Sequence, residues 1–209
     1  MSRNSARQSD KRARIAAAAA RLMAEDGIDD FALAKRKAAR QLGAANTEAL
    51  PGNDEIEAEL RAYLALYQAD EHPARVAELR GLALEAMREL ERFSPYLTGP
   101  VLAGTAGPYA AIELQLFPES SKEVEVYLID RSYQYEAGDT RRYSGDRARA
   151  VAVITLDWQG VPLRLSVFDP RDERSATKTT PAGRVTQRAG IAEVRALVGS
   201  GPADAARPA

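Results

Sequence analysis

Residues 150–168 read AVAVITLDWQGVPLRLSVF. Two apolar runs, 150–158 and 161–168, flank the dipeptide Gln159-Gly160, and this arrangement predicts an antiparallel hairpin closed by a tight turn. Residues 112–117 alternate between apolar and polar side chains, which predicts another strand. Further strands are predicted at 97–102, 124–129 and 133–136, with a short helix as the alternative for 124–129.

The first half of the chain has apolar residues at helical spacing. Helices are predicted at five places: 10–25, 31–42, from Asp54 onward, 73–93 and 191–198. Asp29 or Asp30 is a suitable N-cap for the second of these helices, which Gly43 closes.

These elements predict an α+β fold, in which a helical N-terminal half is followed by a mixed, mainly antiparallel sheet with flanking helices. The predicted domains are a helical region at 1–93 and an α+β domain at 94–199. Residues 171–187 are polar without a period and predict a long loop. The Gly, Pro and Ala residues of 200–209 predict a disordered tail.

Composition excludes several classes of protein. The 209 residues contain no apolar run long enough to span a membrane, and the formal net charge of −1 does not indicate a nucleic-acid binder. There is no Cys and a single His, His72, which excludes thiolate zinc sites, cysteine nucleophiles and His-rich metal sites. Because the chain also lacks a secretory signal, we expect a cytoplasmic location.

Two local patterns suggest binding sites, one for phosphate and one for a divalent metal. Gly104-Thr105-Ala106-Gly107 follows a predicted strand, and such a turn brings backbone N–H groups and a hydroxyl close to a phosphate. Glu123 and Glu125 would project from one face of the strand predicted at 124–129, where two carboxylates can share a divalent metal. Glu113 and Gln115 repeat the spacing on the preceding strand with one acid only.

A helix, a strand, a Gly-Thr turn and an acid-x-acid strand together resemble the nucleotidyltransferase superfamily with the polymerase-beta-type fold, over residues 80–168. The resemblance implies transfer of a nucleoside monophosphate from a nucleoside triphosphate to an acceptor, with Mg²⁺ as cofactor. Glu123 and Glu125 would be the catalytic metal ligands, with Glu113 as the alternative first carboxylate. The residues it assigns to the nucleotide's phosphates are Gly104, Thr105 and Gly107.

The strand 161–165 is similar to the one that bears a third carboxylate in this family, but Arg164 occupies the corresponding position. An arginine there would pair with glutamates and compete with Mg²⁺. Arg164 and Lys178 are therefore candidates for contacts with phosphate. A catalytically inactive nucleotide- or RNA-binding relative that uses these two cations is the alternative to an active enzyme.

Residues 12–43 resemble the start of a TetR-type helix-turn-helix. Its basic residues would face DNA phosphates: Lys35, Arg36, Lys37 and Arg40. A DNA-binding regulator that uses residues 10–43 is therefore a third hypothesis. The oligomeric state is left open by the sequence.

Overall fold

The computed structural model describes residues 3–28, 30–44, 49–69, 71–144, 147–175, 177–178 and 185–199. The helices are α1 (Arg3–Asp26), α2 (Phe31–Gln41), α3 (Asn53–Tyr67), α4 (Glu71–Glu89), α5 (Gly99–Ala103), α6 (Ser121–Asp130) and α7 (Ile191–Gly199). The strands are β1 (Tyr96–Thr98), β2 (Ile112–Leu116), β3 (Tyr135–Ser144), β4 (Arg147–Trp158), β5 (Val161–Val167) and β6 (Thr177–Lys178). Short 3₁₀ helices lie at Glu91–Phe93 and Pro170–Asp172. The α+β class and the mixed sheet are confirmed.

The chain divides into two compact units. The first comprises Met1–Ala74 and Gly104–Ala110, and the second comprises Arg75–Ala103 and Ala111–Ala209. This division falls in the first turn of α4, whereas the sequence predicts a domain boundary between residues 93 and 94. The tail at 200–209 lies outside the described residues.

In the first unit, α1 packs against both α2 and α3. The shared core is rich in small side chains, including Ala16, Ala19, Ala34 and Ala38, and Ile56 of α3 is completely buried within it. Alanines at the contact allow two helix axes to approach closely. Packing of small side chains between helices therefore forms the core of this unit.

The start of α2 shows why the sequence forms a helix there. The Asp30 carboxylate accepts hydrogen bonds from the backbone N–H groups of Ala32 at 2.6 Å and Leu33 at 3.1 Å. These groups have no partner within a helix, so an N-cap stabilises the first turn. Asp30 is confirmed as an N-cap, whereas Asp29 lies outside the described residues. Gly43 follows the helix with a φ of +65°, as predicted for a closing glycine.

The second unit contains a sheet with the strand order β1-β2-β5-β4-β3-β6. The β2–β5 pair is parallel and the other neighbouring pairs are antiparallel. The predicted hairpin is confirmed as β4 and β5, and Gln159 and Gly160 have φ angles of 54° and 83°. Positive φ at both central residues is characteristic of the tight turn that matches strand twist.

Alternation along the strands separates an apolar face from a polar one. Leu114 of β2, Leu165 of β5 and Ile154 of β4 are buried and lie opposite one another in register. Buried apolar residues of α4 and α6 complete the core of this unit, among them Leu79, Met87, Val124 and Leu128. The intervening residues of each strand point to the other face of the sheet.

The strand predicted at 97–102 is correct only at its start. The chain is extended over Tyr96–Thr98 and then enters the short helix α5. Gly99, with a φ of +70°, makes the change of direction, and Pro100 is compatible with the first turn of a helix. Arg80 of α4 donates hydrogen bonds to the carbonyl oxygens of Val101 at 3.1 Å and Leu102 at 2.9 Å.

The strand predicted at 124–129 is wrong, and the alternative, a helix, is correct. Ser120 caps α6 by accepting a hydrogen bond from Lys122 N–H at 3.3 Å. Val124 and Leu128 are buried one helical turn apart, and Tyr127 donates hydrogen bonds from its hydroxyl to Glu89 of α4. These contacts outweigh the β propensity of the valines.

The remaining predictions concern the C-terminal part and membrane insertion. The strand predicted at 133–136 begins at Tyr135 and extends to Ser144, and the last helix is confirmed as α7. The loop predicted at 171–187 contains the two residues of β6, and much of its remainder lies outside the described residues. In the described parts of the chain, no helix combines the length and apolar character needed to cross a membrane.

Candidate functional site

A row of polar residues crosses the polar face of the sheet. Glu113 of β2 lies opposite Arg164 of β5, Arg164 opposite Thr155 of β4, and Thr155 opposite Glu136 of β3. Neighbouring strands are about 4.8 Å apart, so the row extends over about 14 Å. Residues opposite each other in register point to the same face, and four strands thus present their side chains to one surface.

Glu113 and Arg164 form the ion pair of this row. Arg164 Nη1 lies 3.5 Å from Glu113 Oε1, and both side chains are partly exposed. The Glu113 carboxylate also lies against Gly99, because a Cβ atom added at Gly99 would be only 2.7 Å from Glu113 Oε2. The glycine thus leaves room for the carboxylate beside Arg164.

A cavity of about 340 Å³ opens on the same face of the sheet and is called the β3 groove here. Its lining residues come from β3, β4 and β5: Glu136, Ala137, Gly138, Asp139, Thr140, Arg142, Val153, Thr155 and Arg164. Two guanidinium groups and two threonine hydroxyls therefore border a single space. The volume is at the lower end of the range typical of small-molecule sites.

Arg142 is the most desolvated charge of the β3 groove. Burial lowers the pKa of its guanidinium, the nearby Glu113 carboxylate raises this pKa, and the nearby Arg164 guanidinium lowers it. Arg142 Nη1 donates to Thr140 Oγ1 at 3.1 Å and to the Arg141 carbonyl oxygen at 3.3 Å. The charge of Arg164 thus acts on a partly buried guanidinium, where electrostatic interactions are stronger than in water.

An aromatic cluster covers the polar face at one end. The ring of Phe117 packs against those of Tyr96 and Phe168, with centroids 5.7 and 5.5 Å away. The Arg188 guanidinium lies over the Tyr96 ring, 5.3 Å from its centroid. Gln115 of β2, which lies opposite Tyr96 in register, is only 4% exposed. This end of the polar face is therefore covered by the protein's own side chains.

The predicted carboxylate pair is not brought together as expected. Glu123 and Glu125 lie on α6, where residues two apart point in different directions. Glu123 and Glu125 therefore do not share one face of a strand, contrary to the prediction. Glu123 is exposed in the first turn of α6, a position that favours acids because of the helix dipole. Among the described residues, no group of three or more His, Cys, Asp or Glu side chains is arranged to hold a metal ion.

The predicted phosphate turn lies in the first compact unit. Gly104, Thr105 and Gly107 belong to the segment Gly104–Ala110, whereas Arg164 and Lys178 belong to the second unit. Thr105 is only 6% exposed, and the turn follows a helix, α5, instead of the predicted strand.

Arg164 and Lys178 are in the same sheet but are separated from each other. Lys178 is on β6 at the edge of the sheet, and β4 and β3 lie between it and Arg164 on β5. Of these two predicted phosphate contacts, Arg164 lines the β3 groove and Lys178 does not.

The basic residues of α2 have acidic neighbours within the first unit. Lys37 Nζ lies 2.7 Å from the Asp26 carboxylate. Burial lowers the pKa of the Lys35 ammonium, and the carboxylates of Asp54 and Glu55 raise it. Part of this positive charge is thus balanced within the unit, while Arg36 and Arg40 are exposed.

Sequence reasoning missed Arg142, Thr155 and Glu136 as site residues. No local pattern marks them, because only the registers of β3, β4 and β5 bring them together. Ser120 and Glu123, by contrast, have the S-x-x-E spacing of a capping box, which could have identified α6 as a helix.

No family model matches this chain, and comparisons with curated proteins and with solved structures give no match.

Proposed function

We propose that this protein binds a small phosphate-bearing molecule of the nucleotide class in the β3 groove, without metal-dependent transfer. The observation that carries the proposal is that Arg142 and Arg164 line one cavity, where the charge of Arg164 lowers the pKa of Arg142. We retain the expected cytoplasmic location as part of this proposal.

An anion would stabilise this arrangement for electrostatic reasons. The guanidinium groups of Arg142 and Arg164 repel each other, and burial penalises the charge of Arg142. An anion bound between them would attract both guanidinium groups and offset their mutual repulsion. Guanidinium groups match phosphate oxygens in geometry, and the hydroxyls of Thr140 and Thr155 line the same space as further donors.

The nucleotide class is proposed from the resemblance to nucleotidyltransferases, and the geometry supports a proposal of binding without transfer. Glu123 and Glu125 point in different directions on α6, which gives no support to a shared Mg²⁺. In the sheet, Arg164 contacts Glu113, the alternative first carboxylate. An arginine so close to a carboxylate competes with a metal ion for it.

The test is isothermal titration calorimetry with AMP, performed once in EDTA and once in Mg²⁺. We expect the same affinity in both buffers. Arg142→Gln and Arg164→Gln should each weaken binding about 10- to 100-fold, since a charged hydrogen bond contributes about 1.5–3 kcal/mol. Arg141→Gln is the matched control, because its side chain is next to Arg142 on β3 but points to the opposite face.

Three outcomes would contradict the proposal. Binding that requires Mg²⁺ would favour the active nucleotidyltransferase. Binding that Arg141→Gln weakens as much as Arg142→Gln would place the ligand elsewhere. No binding of AMP at all would favour DNA binding by α1 and α2 instead. A titration with duplex DNA at two salt concentrations would test that alternative.

A further inference from the structure

Carboxylates lie close to the two arginines of the β3 groove. Glu136 lines it, and Glu113 contacts Arg164 at its border. The carboxylates of Glu113 and Glu136 therefore accompany Arg142 and Arg164 on this face of the sheet. The local charge balance is close to neutral, which is unusual for a surface that binds a polyanion.

The position of Glu113 is fixed without a ligand. Its carboxylate lies in register with Arg164 on the neighbouring strand and packs against Gly99, where a Cβ atom would be 2.9 Å from Glu113 Cδ. It therefore contributes its negative charge to the border of the β3 groove before a ligand arrives.

We propose that the β3 groove selects phosphate monoesters over polyphosphates, and that Glu113 sets this preference. The inference rests on the proposed function. A monoester carries about two negative charges at neutral pH. Arg142 and Arg164 match two negative charges, whereas the additional phosphates of a triphosphate would extend toward Glu113 and Glu136. The cavity of about 340 Å³ also suits the smaller ligand.

The experiment compares AMP with ATP by calorimetry, both in EDTA so that no metal masks the charge of the triphosphate. The variant Glu113→Gln retains the shape of the side chain and removes its charge. Glu123→Gln is the matched control, because it removes one negative charge from exposed α6, outside the β3 groove. Thermal melting of each variant checks that the fold is retained.

Wild-type protein should bind AMP more tightly than ATP. Glu113→Gln should shift the ratio of the two affinities toward ATP about three- to tenfold, as expected when one carboxylate at short range is neutralised. Glu123→Gln should leave the ratio unchanged. The ratio is the decisive quantity, because loss of the ion pair with Arg164 affects both ligands alike.

The inference is overturned if wild-type protein prefers ATP, or if Glu113→Gln leaves the ratio unchanged while AMP still binds. The proposed function survives both of these results. If neither nucleotide binds to the wild-type protein, the proposed function itself fails and the inference fails with it.

Discussion

Replacing Arg80 with methionine tests how α5 is held in place. Arg80 donates two hydrogen bonds, to the carbonyl oxygens of Val101 and Leu102 near the end of α5. Burial lowers the pKa of its guanidinium, so the charge is partly removed from water. Gly99, which leaves room for the Glu113 carboxylate, begins the same short helix.

The expected loss follows from these contacts. A hydrogen bond to a charged group contributes about 1.5–3 kcal/mol, and Arg80→Met removes two of them. The methionine retains most of the apolar stem and avoids the burial of a charge, so the net loss should be about 2–4 kcal/mol. For a chain of this size, the melting temperature should fall by roughly 4–16 °C.

Arg88→Met is the matched control, because Arg88 lies on the same helix and is exposed. Exposed substitutions of this kind change the free energy of unfolding by about 0.5 kcal/mol or less. The assay is thermal unfolding followed by circular dichroism at one pH and salt concentration. Melting of Arg80→Met within about 2 °C of Arg88→Met would refute the role assigned to Arg80.

Three further predictions concern single elements. In urea titrations, Asp30→Ala should lower the free energy of unfolding by about 0.5–2 kcal/mol. Asp30→Asn should lower it less, because asparagine retains an oxygen that can cap the helix. Equal losses in the two variants would exclude the cap. Burial lowers the pKa of His72 in the folded protein, although a hydrogen bond with the Ala106 backbone opposes this. The unfolded chain therefore takes up a proton more readily, and stability should fall as the pH drops below about 6.5. Denaturant titrations at several pH values should show a smaller fall in His72→Gln, and an identical fall would remove His72 as the cause. The double variant Glu123→Ala with Glu125→Ala should leave AMP affinity unchanged in Mg²⁺ calorimetry, and a loss of Mg²⁺-dependent binding would restore these residues as metal ligands.

The hairpin, β2 and the cap of α2 were predictable because their signals are local. Gln159-Gly160 between two apolar runs defines a turn within a few residues. Asp30 likewise acts on Ala32 and Leu33, its immediate neighbours. Such features need no knowledge of distant parts of the chain.

The candidate site was not predictable in the same way. Arg164 and Glu113 are 51 positions apart and meet only because β2 and β5 pair in parallel. Arg142 belongs to the candidate site because β3 continues past Gly138. The sequence signal for a strand is weak at this glycine. The strand predicted at 124–129 is wrong for another reason: the valines favour a strand, whereas the spacing of Val124 and Leu128 favours a helix.

The most direct test of an anion site in the β3 groove is NMR of the arginine Nε–H groups during a titration with AMP in EDTA. Assignment by the variants Arg142→Gln and Arg164→Gln identifies the two resonances. We predict that these two signals shift together and saturate with one affinity, while the Nε–H signal of Arg141 on the opposite face stays in place. Shifts confined to Arg36 and Arg40 of α2, or none at Arg142 and Arg164, would contradict the account.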